Sequence, residues 1–286
     1  MSEIKRRNGI PVRTLGNTGL EVTLLGVGGY HQCKAHDPEL SRRIIRTAID
    51  EGVNFLDNAW CYNQGLSERV MGQALEDGYR DKVVLMTKNH GRDVPSFESQ
   101  LHDSLRRLQT DCIDVVQFHE IVSPEFPKMI IDNGVIEAAV RARDAGKLRF
   151  IGFTGHNWPH IFLEMLEADF QWNTVMMPLN LLDAQYRSFE KMILPRLLER
   201  NIGVIGMKSL AGGQIRKTGV APREAMHYTM SLPVSTLVSG MESVEQVQYN
   251  IETARTWQPM PEAEQQRLLR RVAPWAGDGR LEGYKE

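Results

Sequence analysis

The chain has 286 residues, enough for a well-buried core. Its 34 basic and 36 acidic side chains leave a formal charge of −2, which gives no reason to expect nucleic acid or an acidic membrane as partner. The three cysteines, Cys33, Cys61 and Cys112, have no CxxC or CxxH spacing, so neither a disulfide framework nor a metal centre is expected. The opening MSEIKRRNGIPVRT lacks a signal-peptide apolar stretch, and no run approaches bilayer-spanning length. A cytoplasmic protein with reduced thiols is the expectation.

Lys5-Arg6-Arg7 reads as a solvated tail. Residues 11–23 hold Asn17-Thr18-Gly19 between two β-prone pieces, a hairpin expected to plug the bottom of the fold. Eight apolar runs then alternate with helix-period segments. VTLLGVGG precedes PELSRRIIRTAIDEG, where Leu40, Ile44, Ala48 and Ile49 share a face. NFLDNA leads to LSERVMGQALEDG, VVLMTKN to SFESQLHDSLRRLQ, and CIDVVQFHE to NGVIEAAVRARDAGK. FIGFTGH leads to WPHIFLEMLEAD, TVMMPLN to SFEKMILPRLLERN, GVIGMKSL to PREAMHYTMSL, and TLVSGM to SVEQVQYNIETAR. Gly52, Gly78 and Gly146 close helices as C-cap chemistry requires. Eight strand–helix units predict an α/β fold, a (β/α)8 TIM barrel occupying 1–286 as one domain. Residues 258–286 add a helical extension and a Gly-rich tail expected to fray.

Asp57, Tyr62, Lys88 and His119 stand at the downstream ends of successive runs, where a parallel barrel gathers its chemistry. A phenol with a pKa near ~10 donates poorly at neutral pH unless its anion is stabilised. An adjacent lysine ammonium stabilises it, and a carboxylate keeps that lysine charged. His119 would either hydrogen-bond a substrate carbonyl or relay the proton to Tyr62. Such a group protonates a developing alkoxide, and the hydride must come from a cofactor.

At these residues the chain resembles the aldo-keto reductase superfamily over nearly its whole length. The family's Asp-x-Ala-x-x-Tyr stands as Asp57-Asn58-Ala59-Trp60-Cys61-Tyr62, followed by Gly65 and Glu68. The strand-three lysine matches Lys88 and the strand-four histidine His119. The resemblance implies reduction of aldehydes or ketones by NADP or NAD, with Tyr62 as general acid tuned by Lys88 and Asp57. Its cofactor side departs from the pattern. Thr154 and Gly155 stand at the family's serine and asparagine, Met176 at the glutamine, and Met207 at the stacking aromatic. Asn180 or His156 is the conjectured replacement for the lost carboxamide partner. Lys208, Ser209, Leu210 and Gly212 suit a pyrophosphate, with Gly29 near the first strand's end. Ser239, Gly240, Met241, Gln246 and Asn250 resemble the adenosine-phosphate clamp. Glu242 there weakens the case for a 2′-phosphate, so NADP and NAD both stay open.

Tyr30, His31, Trp60 and His156 are candidates for the substrate pocket, with Trp257 and Trp275 as further aromatic candidates. Trp275 reads equally as a pin for the last helix, and His31 equally as a solvated loop residue. His36, His90, His102, His160 and His227 read as surface or packing, and Cys61 as a small buried filler. Two other functions are open: a Schiff-base aldolase using Lys88, and a nucleotide-binding redox sensor with little turnover. Metal-dependent hydrolysis is disfavoured, because no His-x-His pair appears on the first strand and the histidines do not cluster. Residues 181–189 and 274–286 carry no readable pattern, and substrate choice is expected to lie in mouth loops and the C-terminal segment. Oligomeric state is not legible.

Overall fold

The structure, a computed structural model, describes residues 4–33 and 37–286; His36 lies outside them. A small antiparallel sheet comes first: β1 (Arg6–Arg7), β2 (Ile10–Thr14) and β3 (Glu21–Thr23). The eight strands that follow are β4 (Leu25–Gly28), β5 (Phe55–Asp57), β6 (Val84–Asn89), β7 (Ile113–Phe118), β8 (Leu148–Thr154), β9 (Thr174–Pro178), β10 (Gly203–Met207) and β11 (Thr236–Gly240). They pair in parallel and close into a barrel, β10 joining both β9 and β11. The barrel strands are buried along most of their length, because helices cover the outside while side chains fill the inside. Phe55, Val84, Met86, Val115, Met176, Ile205 and Val238 form that inner filling.

The helices are α1 (Gly29–Gln32), α2 (Pro38–Asp50), α3 (Leu66–Ala74), α4 (Val94–Leu108), α5 (Glu125–Asp132), α6 (Val135–Asp144), α7 (Pro159–Leu166), α8 (Phe189–Met192), α9 (Leu194–Glu199), α10 (Pro222–Ser231), α11 (Val244–Arg255) and α12 (Glu262–Ala276). In α2, Asp37 accepts from the Glu39 and Leu40 amides at the start, while Ile44, Ile45, Ala48 and Ile49 turn inward. Helix α5 was not anticipated; it sits in the crossover from β7 to α6. The single helix expected over 188–201 is two, broken at Ile193. Pro195 lacks an amide to continue the ladder and opens α9 instead.

The hairpin expected over 11–23 is present and carries a third strand. Leu15 and Val22 cap the inner filling from the strands' N-terminal end, and Asn17 donates to Trp172 O. The basic run is not a loose tail. Arg6 and Arg7 pair with Pro11 and Ile10, and Arg6 donates to Gly9 O and Arg255 O.

The C-terminal tail does not fray. Lys285 is fully buried, with Nζ 2.7 Å from both Asp183 Oδ1 and Tyr186 O and 3.1 Å from Glu282 Oε1. Arg187 donates to Lys285 O at 2.7 Å. The two unpatterned stretches therefore hold each other. Burial pushes the Asp183 carboxyl up to about 7 against the pull of Lys285. Removing the cation from such a pair strands a buried carboxyl. Lys285→Ala should cost about 3–5 kcal/mol in denaturant unfolding. The exposed Lys5–Glu21 pair supplies the contrast, Lys5→Ala costing no more than about 1 kcal/mol. Equal losses for the two variants would mean that the tail is not anchored by this ion pair.

Candidate active site

The mouth forms at the C-terminal strand ends. Asp57 closes β5, and its chain continues alongside β6 through Asn58 N to Met86 O (2.9 Å) and Trp60 N to Lys88 O (3.0 Å). Asn63 and Gln64, both with left-handed backbone, then turn the chain into α3. Asn63 anchors this turn by donating to Tyr30 O and Ser67 Oγ, each at 3.0 Å. These constraints place Tyr62 over the strand ends. From β6, Lys88 Nζ donates to Asp57 Oδ1, to Asn58 O (2.8 Å) and to the Tyr62 hydroxyl (3.2 Å). His119 follows β7, its ring edge-on to Tyr62 at 5.7 Å between centroids. Arg92 fixes that strand end by donating to His119 O and Glu120 O.

Lys88 is only 1 % exposed. Burial works against its ammonium, but Asp57, then Tyr62, together more than offset this and hold its pKa above the ordinary lysine value. Asp57 is pushed up by burial while Lys88 pulls it down. The phenol was expected to be acidified; it is not. Although the Tyr62 residue as a whole is half-buried, burial of the phenol outweighs Lys88, and its pKa is pushed up to about 12. For His119, burial first and then the neighbouring Lys88 hold the imidazole well below its usual range, so it is neutral at pH 7.

A cleft of about 320 Å3 opens above these groups. All four expected catalytic residues line it, with Tyr30, His31 and His156 from the expected substrate wall. So do Thr154, Gly155, Met176, Met207, Lys208, Ser209, Leu210, Gly212, Ser239 and Gly240. The loop from Lys208 to Gly213 carries positive φ at Lys208, Ala211, Gly212 and Gly213, a local strain of the kind that collects at ligand-binding loops. At Gly240 a Cβ would lie 2.1 Å from His31 Nδ1, so the missing side chain lets His31 pack across the end of β11.

Other expected residues sit outside the cleft lining. Gly28 lines it, whereas Gly29 packs against Asp57 O and Asn58. Met241 is buried; Gln246 accepts from Glu242 N, and Asn250 donates to Ser239 Oγ, positioning a lining residue from behind. Trp60 is not a pocket wall. Its indole donates to Asp103 on α4, and Arg107 lies over its ring. Trp257 is buried at the barrel's other end under Arg13, whose guanidinium donates to carbonyls ahead of β11. Trp275 packs against the core from α12. Asn180 is not a free replacement for the lost carboxamide partner. Its amide donates to Tyr284 Oη and Lys208 O and its oxygen accepts from Leu182 and Asp183.

Three features escape a reading of the sequence. Glu68, fully buried, accepts from Thr87 Oγ1 and pairs with Arg107, bracing β6 beside Lys88. Tyr284 from the tail holds His156, packing edge-on to its ring with His156 Nδ1 2.5 Å from Tyr284 O. The histidines do cluster: His90 and His119 are 4.4 Å apart between ring centroids, with Cys61 Sγ between them. The positions after β5, β6 and β7 were the available signal, since strand ends converge.

The model of the Aldo/keto reductase family matches residues 24–259, and the chain belongs to that family. It is 30% identical over 220 residues to aldo-keto reductase YhdN of Bacillus subtilis (strain 168), covering 70% of this chain and 62% of that protein. L-galactose dehydrogenase of Arabidopsis thaliana is 27% identical over 283 residues, covering 85% and 87%. The chain spans just under two thirds of the length of several relatives, 62% of YhdN and 66% of the uncharacterized oxidoreductase YrpG of the same bacterium. Among solved structures, the holo form of aldo-keto reductase AKR11C1 from Bacillus halodurans superposes with a TM-score of 0.79 at 25% identity, covering 92% of this chain and 96% of that one.

Position 155, where the resemblance leads one to expect an asparagine, has no room for a side chain. A Cβ on Gly155 would meet Ile121 O at 2.5 Å and Phe162 Cε2 at 3.0 Å. Gly155→Asn and Gly155→Ala should each lose roughly 1–3 kcal/mol of unfolding free energy, because the first added carbon already clashes. Unchanged urea midpoints would show that the Ile121 carbonyl yields.

Proposed function

We propose that the chain is a nicotinamide-dependent oxidoreductase that reduces aldehydes or ketones to alcohols, with Tyr62 as proton donor. The observation that carries this reading is the Lys88 ammonium held between Asp57, Asn58 O and the Tyr62 hydroxyl on the cleft floor. Membership of the aldo/keto reductase family supports it.

The residues fit a nicotinamide dinucleotide, NADP or NAD. The cleft runs from the strained Lys208–Gly213 loop and the end of β11 to the Tyr62–Lys88 pair, and Met207, Thr154 and Met176 line the stretch between. Lys208, Ser209, Leu210 and Gly212 would hold the pyrophosphate; Ser239 and Gly240, with Gln246 and Asn250 behind them, would take the adenosine end. When bound, the nicotinamide supplies the hydride. Tyr62 gives its proton to the carbonyl oxygen as negative charge develops there. The phenolate left behind faces Lys88 and regains a proton from water. Lys88 limits how far burial raises the phenol, and so contributes to stabilising that anion. Neutral His119 holds the carbonyl by a hydrogen bond without adding a second cation beside Lys88.

A Schiff-base role for Lys88 fits poorly. A nucleophilic lysine needs its pKa lowered, and here Asp57 and Tyr62 raise it. The sensor reading is set aside by any robust steady-state turnover across a panel of aldehydes, quinones and ketones with NADPH and NADH.

Tyr62→Phe should lower kcat about 10²–10⁴-fold while dinucleotide affinity, followed by protein fluorescence, barely changes. Retained turnover would require another acid. The pH profile gives a separate check. A donor acts while protonated, so activity is lost as pH rises through its pKa. With the phenol at about 12, kcat/KM for reduction should stay level past pH 10 in rapid pH-jump assays. In Lys88→Met the residual rate should fall off at still higher pH, since the lowering influence is gone. A descending limb centred at or below 10 in the parent protein contradicts this assignment.

A further inference from the structure

We propose that Cys61, His90 and His119 form a binding site for a zinc-class transition cation, whose occupancy silences carbonyl reduction. The silencing half rests on the role given to His119 above; the binding half does not.

The three side chains arrive from the segments following β5, β6 and β7. Cys61 Sγ lies 3.0 Å from His90 Nε2 and 3.7 Å from His119 Nδ1, and all three ligand atoms are within 4.8 Å of one another. A zinc ion about 2.3 Å from sulfur and about 2.0–2.1 Å from nitrogen, at tetrahedral angles, separates its ligands by roughly 3.3–3.6 Å. The two sulfur–nitrogen spacings fall on either side of that range. One thiol and two imidazoles select zinc, cobalt or copper over magnesium or calcium, which prefer oxygen. Three protein ligands leave a fourth position, and His119 and Glu120 both face the cleft, through which water can enter to fill it.

The surroundings suit the ligands. Glu120 Oε2 lies 3.8 Å from His90 Nδ1, where it can orient the ring and supply negative charge. Burial pushes the Cys61 thiol up to about 11, so it is no reactive thiolate on its own. A coordinating dication displaces that proton to solvent. Lys88 and Arg92 are the opposing cations; Lys88 is already matched by Asp57, and Arg92 donates to the carbonyls of His119 and Glu120.

Binding would withdraw the His119 imidazole into the coordination shell. It would also pin Cys61, the residue immediately before Tyr62. The first takes the carbonyl's partner out of the reductive site, and the second restrains Tyr62.

The test uses the whole protein, stripped of metal and titrated with Co2+ and then Zn2+. One cobalt per chain is expected, with thiolate-to-cobalt charge-transfer absorption and tetrahedral d–d bands that zinc bleaches. Cys61→Ser should abolish the charge-transfer band, and His90→Gln should weaken binding at least about tenfold. Zinc should inhibit carbonyl reduction by the parent reversibly, chelator restoring it, while each variant, compared with its own metal-free rate, is spared. Absence of stoichiometric cobalt, or an unchanged spectrum in Cys61→Ser, overturns the site. Cobalt bound as described with no zinc inhibition overturns the silencing. A protein that reduces no carbonyl at all would still give the cobalt spectrum, so failure of the reductase reading is seen separately.

Discussion

A single buried ammonium organises the mouth of this barrel. Lys88 cannot stay charged at 1 % exposure unless every proton it carries finds a partner, and Asp57, Asn58 O and Tyr62 provide those partners. None of the three could be placed by a local segment alone. Asp57 and Asn58 depend on the parallel register between β5 and β6, which sets Asp57 opposite Met86, two residues short of Lys88. Tyr62 depends on the left-handed turn at Asn63 and Gln64. Barrel closure and the Asp57–Lys88–Tyr62 cluster are therefore one construction. The brace from Glu68 to Thr87 and Arg107 holds the outer side of the same strand.

That construction also explains why the phenol is not acidified. Lys88 favours the phenolate, but Asp57 opposes ionisation of Tyr62. Burial then dominates. On the proposed mechanism, the cation contributes to the anion's survival when it forms, rather than to its formation at rest. Such an arrangement favours transition-state stabilisation over a pre-ionised ground state.

The barrel and the four strand-end residues were legible because both follow from short-range pattern: apolar runs of strand length, and polar groups where those runs stop. What was not legible depends on partners far apart in sequence. Lys285 and Asp183 carry no local mark of burial, yet each explains the other once the tail is laid on the loop after β9. Trp60 looks like a pocket aromatic by its place beside Tyr62, but only α4 shows that its indole turns toward Asp103. Cys61 lies 29 residues from His90 and 58 from His119, and taken one at a time the three read as filler, surface and catalyst. Their proximity follows from the same convergence of strand ends that identified Lys88, applied to the residues one step beyond.

The cofactor side shows a different limit. Replacing the family's asparagine by Gly155 invites a search for a nearby amide to take over, and Asn180 is the obvious choice by sequence. That amide is already engaged elsewhere, tying Tyr284 and the Lys208 carbonyl to the loop that holds Lys285. Gly155 in turn is required by the approach of the Ile121 carbonyl. Asn180 is therefore not the replacement, and of the two candidates only His156 lines the cleft. The space beside Thr154 is bounded instead by His156, which the tail holds through Tyr284 O. His156 is thus set from behind by the tail, whereas Asp57, Lys88 and Tyr62 are set by β5, β6 and the turn before α3, so the two sides of the cleft rest on different elements.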